Sequence, residues 1–243
     1  LGFAALSVRL RWLTAGGAAA AWVLGVSSAW AFGWIGLAAL FAPFLVATLL
    51  GKLPGAKRAE ARSMRQVLCN GLPAFVGIVW SLSVRGDAAE GLVWFLGALA
   101  CLGADTCATE IGVRYGGRPF RLVGGGRLQP GESGGVTLLG LLGSVGGAAL
   151  APAAAGVFLR APLAAVLLLT AAGVLAALLD SVLGASLQFR GRIRETGEAT
   201  EATRVLEGTV ERVSGWRWLD NDAVNLVTGF AGGAMALALM QLL

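Results

Sequence analysis

Residues 161–187 read APLAAVLLLTAAGVLAALLDSVLGASL, an apolar run interrupted by one acid, Asp180. A helix that crosses a bilayer needs about 20 such residues. A helix hydrophobic all round is a buried or membrane-spanning one. The run is therefore read as a transmembrane helix, and its lone acid as a residue to be explained. Six other stretches share this character, so the expected spans are about 12–28, 30–50, 67–84, 90–113, 135–158, 161–187 and 223–242.

Composition points the same way. Of 243 residues, 56% are hydrophobic and 14% charged, against about 25% charged in ordinary soluble domains. The mean hydropathy is +0.75. These values exclude a disordered chain and disfavour a water-soluble one. The expected fold is all-α, a polytopic membrane protein of about seven transmembrane helices forming a single integral membrane domain over 1–243. Glycine pairs such as Gly143/Gly147 and Gly229/Gly233 suit close helix packing. Cys69, Cys101 and Cys107 are odd in number and lack CxxC spacing, which argues against a disulfide framework or a zinc site. There is no histidine, so Ser-His-Asp and Cys-His catalysis and imidazole ligation are excluded.

Basic residues set the expected orientation, because Arg and Lys loops stay in the cytoplasm. Arg9 and Arg11 precede the first span. Lys52, Lys57, Arg58, Arg62 and Arg65 follow the second, and Arg114, Arg118, Arg121 and Arg127 the fourth. Arg190, Arg192, Arg194, Arg204, Arg212 and Arg217 follow the sixth, whereas the remaining connections hold only Arg85 and Arg160. The alternation predicts cytoplasmic loops at about 51–66, 114–134 and 188–222, a cytoplasmic N-terminus, and a bacterial-type inner membrane. It also accounts for the sequence pI of 9.9 without a nucleic-acid partner. No signal-peptide cleavage site is evident. Residues 190–218 are polar and in part alternate, which reads as a small β-hairpin or structured loop before the last helix.

Beyond Glu90, which opens the fourth span at its edge, three acids fall within the spans: Asp105, Glu110 and Asp180. All lie in halves facing the cytoplasm. On that side the last span begins with Asp220, Asn221, Asp222 and Asn225, the third with Gln66 and Asn70. The fifth is entered through Gln129-Pro130-Gly131-Glu132-Ser133-Gly134-Gly135. Singly, an Asp can cap a helix and Gly-Gly can be a turn. Together, carboxylates without His or Cys suit a hard cation such as Mg²⁺. The glycine loop before a helix N-terminus suits an anion, and Lys52, Arg65, Arg121 and Arg127 add positive charge. The combination reads as polyphosphate binding. A P-loop is excluded, since GxxxxGK[ST] is absent.

At these residues the chain resembles a known family. Gly103-Ala104-Asp105-Thr106-Cys107-Ala108-Thr109-Glu110-Ile111-Gly112 is similar to the "ADTWASEIG" signature of the membrane family once called domain of unknown function 92. That family includes the plant phytyl-phosphate kinase of vitamin E synthesis. Residues 66–71 (QVLCNG), 130–137 (PGESGGVT), 179–188 (LDSVLGASLQ) and 218–225 (WLDNDAVN) follow in the family's order. Cys107 stands where the family usually has Trp, and Thr109 where it has Ser. A fainter likeness exists to CTP-using polyprenol and phytol kinases and CDP-diacylglycerol synthases.

The resemblance implies Mg²⁺-dependent transfer of a phosphoryl group from CTP, or ATP, to an isoprenyl monophosphate such as phytyl or geranylgeranyl phosphate. It implies Mg²⁺ on Asp105, Glu110, Asp180 and Asp222. Gly131, Ser133, Gly134 and Gly135 would cradle phosphates, with Lys52, Arg65 and Arg121 clamping them. Asn70, Thr106, Gln188, Asn221 and Asn225 would orient substrate or nucleotide. A phosphate monoester has a second pKa near ~6, so such an acceptor arrives ionised and needs no histidine base. The alternatives are a prenol kinase, a CTP-dependent cytidylyltransferase acting on a lipid, or a transporter using the acids as an ion relay. A homodimer in the lipid bilayer is left open.

Overall fold

A computed structural model describes residues 2–53, 61–83, 87–203 and 208–243. Lys57, Arg58, Arg85 and Arg204, used above for orientation, lie outside the described residues. The described helices are α1 (Gly2–Arg9), α2 (Ala15–Leu50), α3 (Met64–Leu82), α4 (Ala88–Tyr115), α5 (Leu138–Leu159), α6 (Leu163–Ser186) and α7 (Asn221–Met240). Five of them, α2, α4, α5, α6 and α7, are long and apolar enough to cross a membrane. Helix α3 is 19 residues long, and Arg65, Gln66 and Asn70 dilute its first turns.

The first two expected spans are two legs of α2. At Gly33 the backbone turns to φ 58°, ψ −137°, a region open to glycine and costly for other residues. The legs fold back on each other there: a Cβ placed on Gly36 would lie 2.5 Å from Ser28 Oγ. Their far ends meet again near Arg62. The Thr14 N–H donates to the Arg62 carbonyl at 3.1 Å, and Arg62 Nη1 donates to Thr48 Oγ1 at 3.3 Å. The expected break near residue 29 is thus four residues early, because a single glycine inside a uniformly apolar run leaves no periodic signal.

Helix α4 is the axis of the bundle and touches α2, α3, α5, α6 and α7. Small residues permit this on every side. Gly91 lies on Gly77 of α3, Gly97 on Gly232 of α7, Gly103 on Gly147 of α5, and Ala100 on Gly173 of α6. Without a hydrophobic force between helices in lipid, such backbone approach and van der Waals packing must hold the bundle together. Gly143 and Gly147 face α4, while Gly229 and Gly233 face Pro73 and Trp94.

Two small sheets lie at the helix ends. Strand β1 (Phe120–Arg121) pairs antiparallel with β2 (Gly135–Val136), bringing Arg121 opposite Gly135; nothing in the sequence suggested this ladder. Between α6 and α7, the expected hairpin is a three-stranded antiparallel sheet, with β4 (Ala199–Thr200) and β5 (Val210–Ser214) flanking β3 (Arg190–Ile193). The fully buried Phe189 anchors its base, and the Phe189 N–H donates to Leu219 O at 2.8 Å. Ser133 and Glu201 join the α4–α5 connection to this sheet. Arg65, at the start of α3, reaches Asp220, just before α7. The three basic connections therefore share one end of the bundle.

Candidate functional site

A cavity of about 350 Å³ opens at this end, walled by α4, α5, α6 and the Gly131–Gly135 loop. Helix α4 supplies Asp105, Thr106, Thr109 and Glu110; α6 supplies Asp180 and Ser181; Ser144, Arg62, Glu201 and Asn221 add to the polar lining. Asp180 is held from α7, where Thr228 Oγ1 lies 3.1 Å from Asp180 Oδ2. Thr228 is 1% exposed, and its one hydroxyl proton is shared between that carboxylate oxygen and the Val224 carbonyl at 3.0 Å.

The glycine loop is locked by contacts distant in sequence. The Ser133 N–H donates to Glu201 Oε1 at 3.0 Å, and Ser133 Oγ donates to Glu201 Oε2 at 2.7 Å. Gln188 Nε2 donates to Ser133 Oγ at 3.0 Å and to Glu201 Oε2 at 3.2 Å. Arg190 Nη2 donates to the carbonyls of Ser133 and Gly184 at 2.9 and 3.1 Å. Gly134, at φ 80°, packs so closely on the α6 end that a Cβ would overlap the Ala185 backbone. An anion, the Glu201 carboxylate, is thus already seated on the loop's amide and hydroxyl. Thr137 begins α5 just beyond, and its hydroxyl accepts from Gly140 N at 2.9 Å.

The other expected site residues fall in three places. Glu110 lines the cavity, yet its Oε2 accepts from Arg114 Nη1 at 2.5 Å. The Arg114 side chain is 4% exposed and that of Glu110 29%, so loss of Glu110 would leave a buried guanidinium without its counter-ion. Balancing Arg114 is therefore a structural duty of Glu110. Asp222 does not line the cavity: Arg65 Nη1 stands 3.3 Å from it, while Arg65 Nη2 grips Asp220. Asp220 caps α7 by accepting from Ala223 N at 3.1 Å, worth about 1 kcal/mol. The Arg65 side chain is 60% exposed, so its ion pairs add at most about 1 kcal/mol.

Lys52 stands over the Trp12 ring, 4.6 Å from its centroid, at the α1–α2 corner. Asn70 faces a second, apolar cavity, and Thr106 borders both cavities. Arg121 sits on β1 behind the glycine loop, its Nε buried without a partner. Gln188 acts through Ser133, and Asn225 lies outside both cavity linings. Among the described residues, no group of three or more Asp, Glu, Cys or His is gathered as a metal cluster. The carboxylates that meet in the cavity from separate helices are Asp105 and Asp180. A pair of that kind is the usual protein share of a Mg²⁺ site whose remaining ligands are waters and phosphates.

Arg62, Glu201, Arg190 and Thr228 were not anticipated as site residues. Glu201 and Arg190 lie in a polar stretch that reads as solvated, and Thr228 in an apolar helix. The burial of Arg62 pulls its guanidinium below its ordinary pKa, and the negative field of Glu110 opposes that shift.

The comparisons with known proteins agree with the motifs. A family model described as Integral membrane protein DUF92 matches residues 1–233. The chain is 30% identical over 200 residues to Protein PGR of Arabidopsis thaliana, covering 71% of this chain and 67% of that protein. It is 29% identical over 242 residues to an uncharacterized membrane protein of Synechocystis sp., covering 93% and 82%. It is 28% identical over 244 aligned positions to Protein VTE6, chloroplastic, of Arabidopsis thaliana, covering 94% of this chain and 66% of that protein. No solved structure matches the chain. With the family model spanning nearly all of its length, the chain belongs to the family of integral membrane proteins described as DUF92.

Proposed function

We propose that this chain is a membrane phosphotransferase that moves the γ-phosphoryl group of a nucleoside triphosphate, preferentially CTP, onto an isoprenyl monophosphate. The observation that carries this reading is the anion seat. Ser133 N–H and Oγ–H hold the Glu201 carboxylate at the rim of a cavity whose wall carries Asp105 and Asp180. A phosphate offers the loop the same kind of oxygen acceptor as that carboxylate. The family resemblance to phytyl-phosphate kinase supplies the acceptor class. Placing the site on the cytoplasmic side follows from the basic loops.

In this reading an acceptor phosphate oxygen attacks the γ-phosphorus. The bond from that phosphorus to the β,γ-bridging oxygen breaks, and the nucleoside diphosphate leaves with the electron pair. Because the acceptor is already an anion, the protein has only to position and neutralise. The glycine loop holds the donor phosphates, Arg62 meets the acceptor phosphate, and Thr228 contacts one oxygen of Asp180 from α7. Mg²⁺, held by Asp105 and Asp180, would supply charge neutralisation between donor and acceptor.

The test is mass spectrometry of products from purified protein given Mg²⁺, CTP or ATP, and a panel of prenyl monophosphates. Prenyl diphosphate with nucleoside diphosphate is the expected outcome. A monophosphate made from a prenol, a CDP-linked lipid with pyrophosphate, or no turnover would each overturn it.

A further inference from the structure

A second cavity, of about 380 Å³, lies between α1, both legs of α2, α3 and α4. That volume is within the usual range for small-ligand sites. Leu24, Leu40, Phe41, Phe44 and Leu99 make its walls apolar. It is no isolated void: Arg62 and Thr106 line both cavities, so the apolar chamber and the polar site meet at these two residues.

Arg62 is fixed at that junction. Its N–H donates to Trp12 O at 3.0 Å and its carbonyl accepts from Thr14 N at 3.1 Å. Its guanidinium lies 5.4 Å from the Phe44 ring centroid and donates to Thr48 Oγ1 at 3.3 Å. Among the described residues, no carboxylate lies within salt-bridge distance of it, and no other arginine lines either cavity. A half-buried guanidinium, stacked on an aromatic ring and lacking a counter-ion, is suited to a phosphate.

We infer that the apolar cavity holds the hydrocarbon tail of the acceptor, with Arg62 gripping its phosphate where the two cavities join. This rests on the phosphotransfer reading for the identity of the ligand. The geometry itself asks for an amphiphile with an anionic head: an oxyanion at Arg62 and an uncharged tail among Leu24, Phe41 and Leu99. A nucleotide fits this description poorly: besides Arg62 the walls offer only Ser7, Asn70 and Thr106 as polar side chains, too few for a ribose and base buried among apolar groups.

The experiment uses the purified full-length chain in nanodiscs and a dodecyl phosphate probe with a diazirine at the end of its tail. Photolabelling is mapped by peptide mass spectrometry. Label is expected on the cavity-facing residues of α2 and α4. Dodecanol carrying the same diazirine should label them about tenfold less, because it offers Arg62 no anion. A Cβ on Gly25 meets nothing within 4 Å, and Gly25 lines the cavity, so Gly25→Leu fills space without forcing the backbone. It should cut labelling by about tenfold, the loss of roughly two buried methylenes. Label on outward residues of α5, equal labelling by the alcohol, or full labelling of Gly25→Leu would overturn the inference. Turnover is measured on the same preparation. Cavity labelling without turnover leaves the tail site standing and rejects the phosphotransfer reading; turnover with labelling elsewhere does the reverse.

Discussion

Gly131 and Gly134 offer a paired test of whether the glycine loop must sit on α6 to bind phosphate. Both have positive φ, 90° and 80°, so an alanine at either position incurs left-handed strain of about 1–2 kcal/mol. Their surroundings differ. A Cβ on Gly131 meets nothing within 4 Å, whereas one on Gly134 would overlap the backbone of Ala185 and sit 2.6 Å from its Cβ. Backbone cannot move aside as a side chain can, so Gly134→Ala adds an overpacking cost of about 1–3 kcal/mol. The loop is at the rim of the bundle, and lifting off α6 relieves that strain by pulling Ser133 away from Gln188 and the cavity. In the proposed phosphotransfer reading the penalty then falls on nucleotide binding. For Gly134→Ala the sum is about 2–5 kcal/mol, a loss of affinity between about 30-fold and a few thousandfold. For Gly131→Ala the loss is about 5- to 30-fold. Calorimetric titration of both variants with a non-hydrolysable triphosphate reads the difference, with elution volume in detergent as the folding control. Equal losses in the two variants, or wild-type affinity in Gly134→Ala, would refute the reasoning.

Asp105→Asn and Asp180→Asn should each lower product formation by about a hundredfold or more while the chain still inserts and purifies normally; a variant with wild-type turnover removes that residue from the site. Glu201→Gln keeps the shape of the anion seat and removes its charge. Hydrogen bonds to charged groups exceed neutral ones by about 1 kcal/mol, so pyrophosphate should bind about fivefold more tightly; unchanged or weaker binding would show that Glu201 does not occupy a phosphate position. The Thr209 N–H donates to both Glu195 oxygens, at 2.8 and 3.0 Å, and this holds the carboxyl below its ordinary range. Because the folded pKa is depressed, the contact stabilises the sheet above the unfolded value of about 4.3 and is lost as pH falls through the folded one. Protection of the Thr209 amide from hydrogen exchange, compared between wild type and Glu195→Gln, should converge at low pH; a constant gap down to pH ~2 would contradict it.

The membrane character and the positions of Asp105, Asp180 and the glycine loop were legible because they are local. An acid inside an apolar run is conspicuous wherever it falls, and Gly-Glu-Ser-Gly-Gly announces a turn before a helix. The partners of these groups were not legible. Ser133 meets Glu201 across 68 positions, and no local pattern distinguishes that glutamate from its solvated neighbours. The electrostatic division of labour was also hidden. Glu110 reads like Asp105, but Arg114 lies one turn onward on α4 and claims it. Asp222 is similarly claimed by Arg65, whose distance in sequence conceals the pairing. The alternating residues before α7 did announce strand, but the two-residue β4 is too short to carry a pattern.

The bend at Gly33 bears on how the chain enters the membrane. Its two legs, residues 15–32 and 34–50, each rise about 26 Å, close to the thickness of the hydrocarbon layer. Their outer ends are stitched together by the parallel bridge between Leu13 and Arg62. Such a unit goes in as a closed pair and comes out on the side it started from. Its contribution to topology is even, so its insertion or loss leaves the direction of α3 unaltered. The sidedness of α4, α6 and α7, which carry Asp105, Asp180 and Thr228, should then not depend on the N-terminal pair. Folding of the α4–α7 bundle and formation of the apolar chamber are then expected to be separable steps.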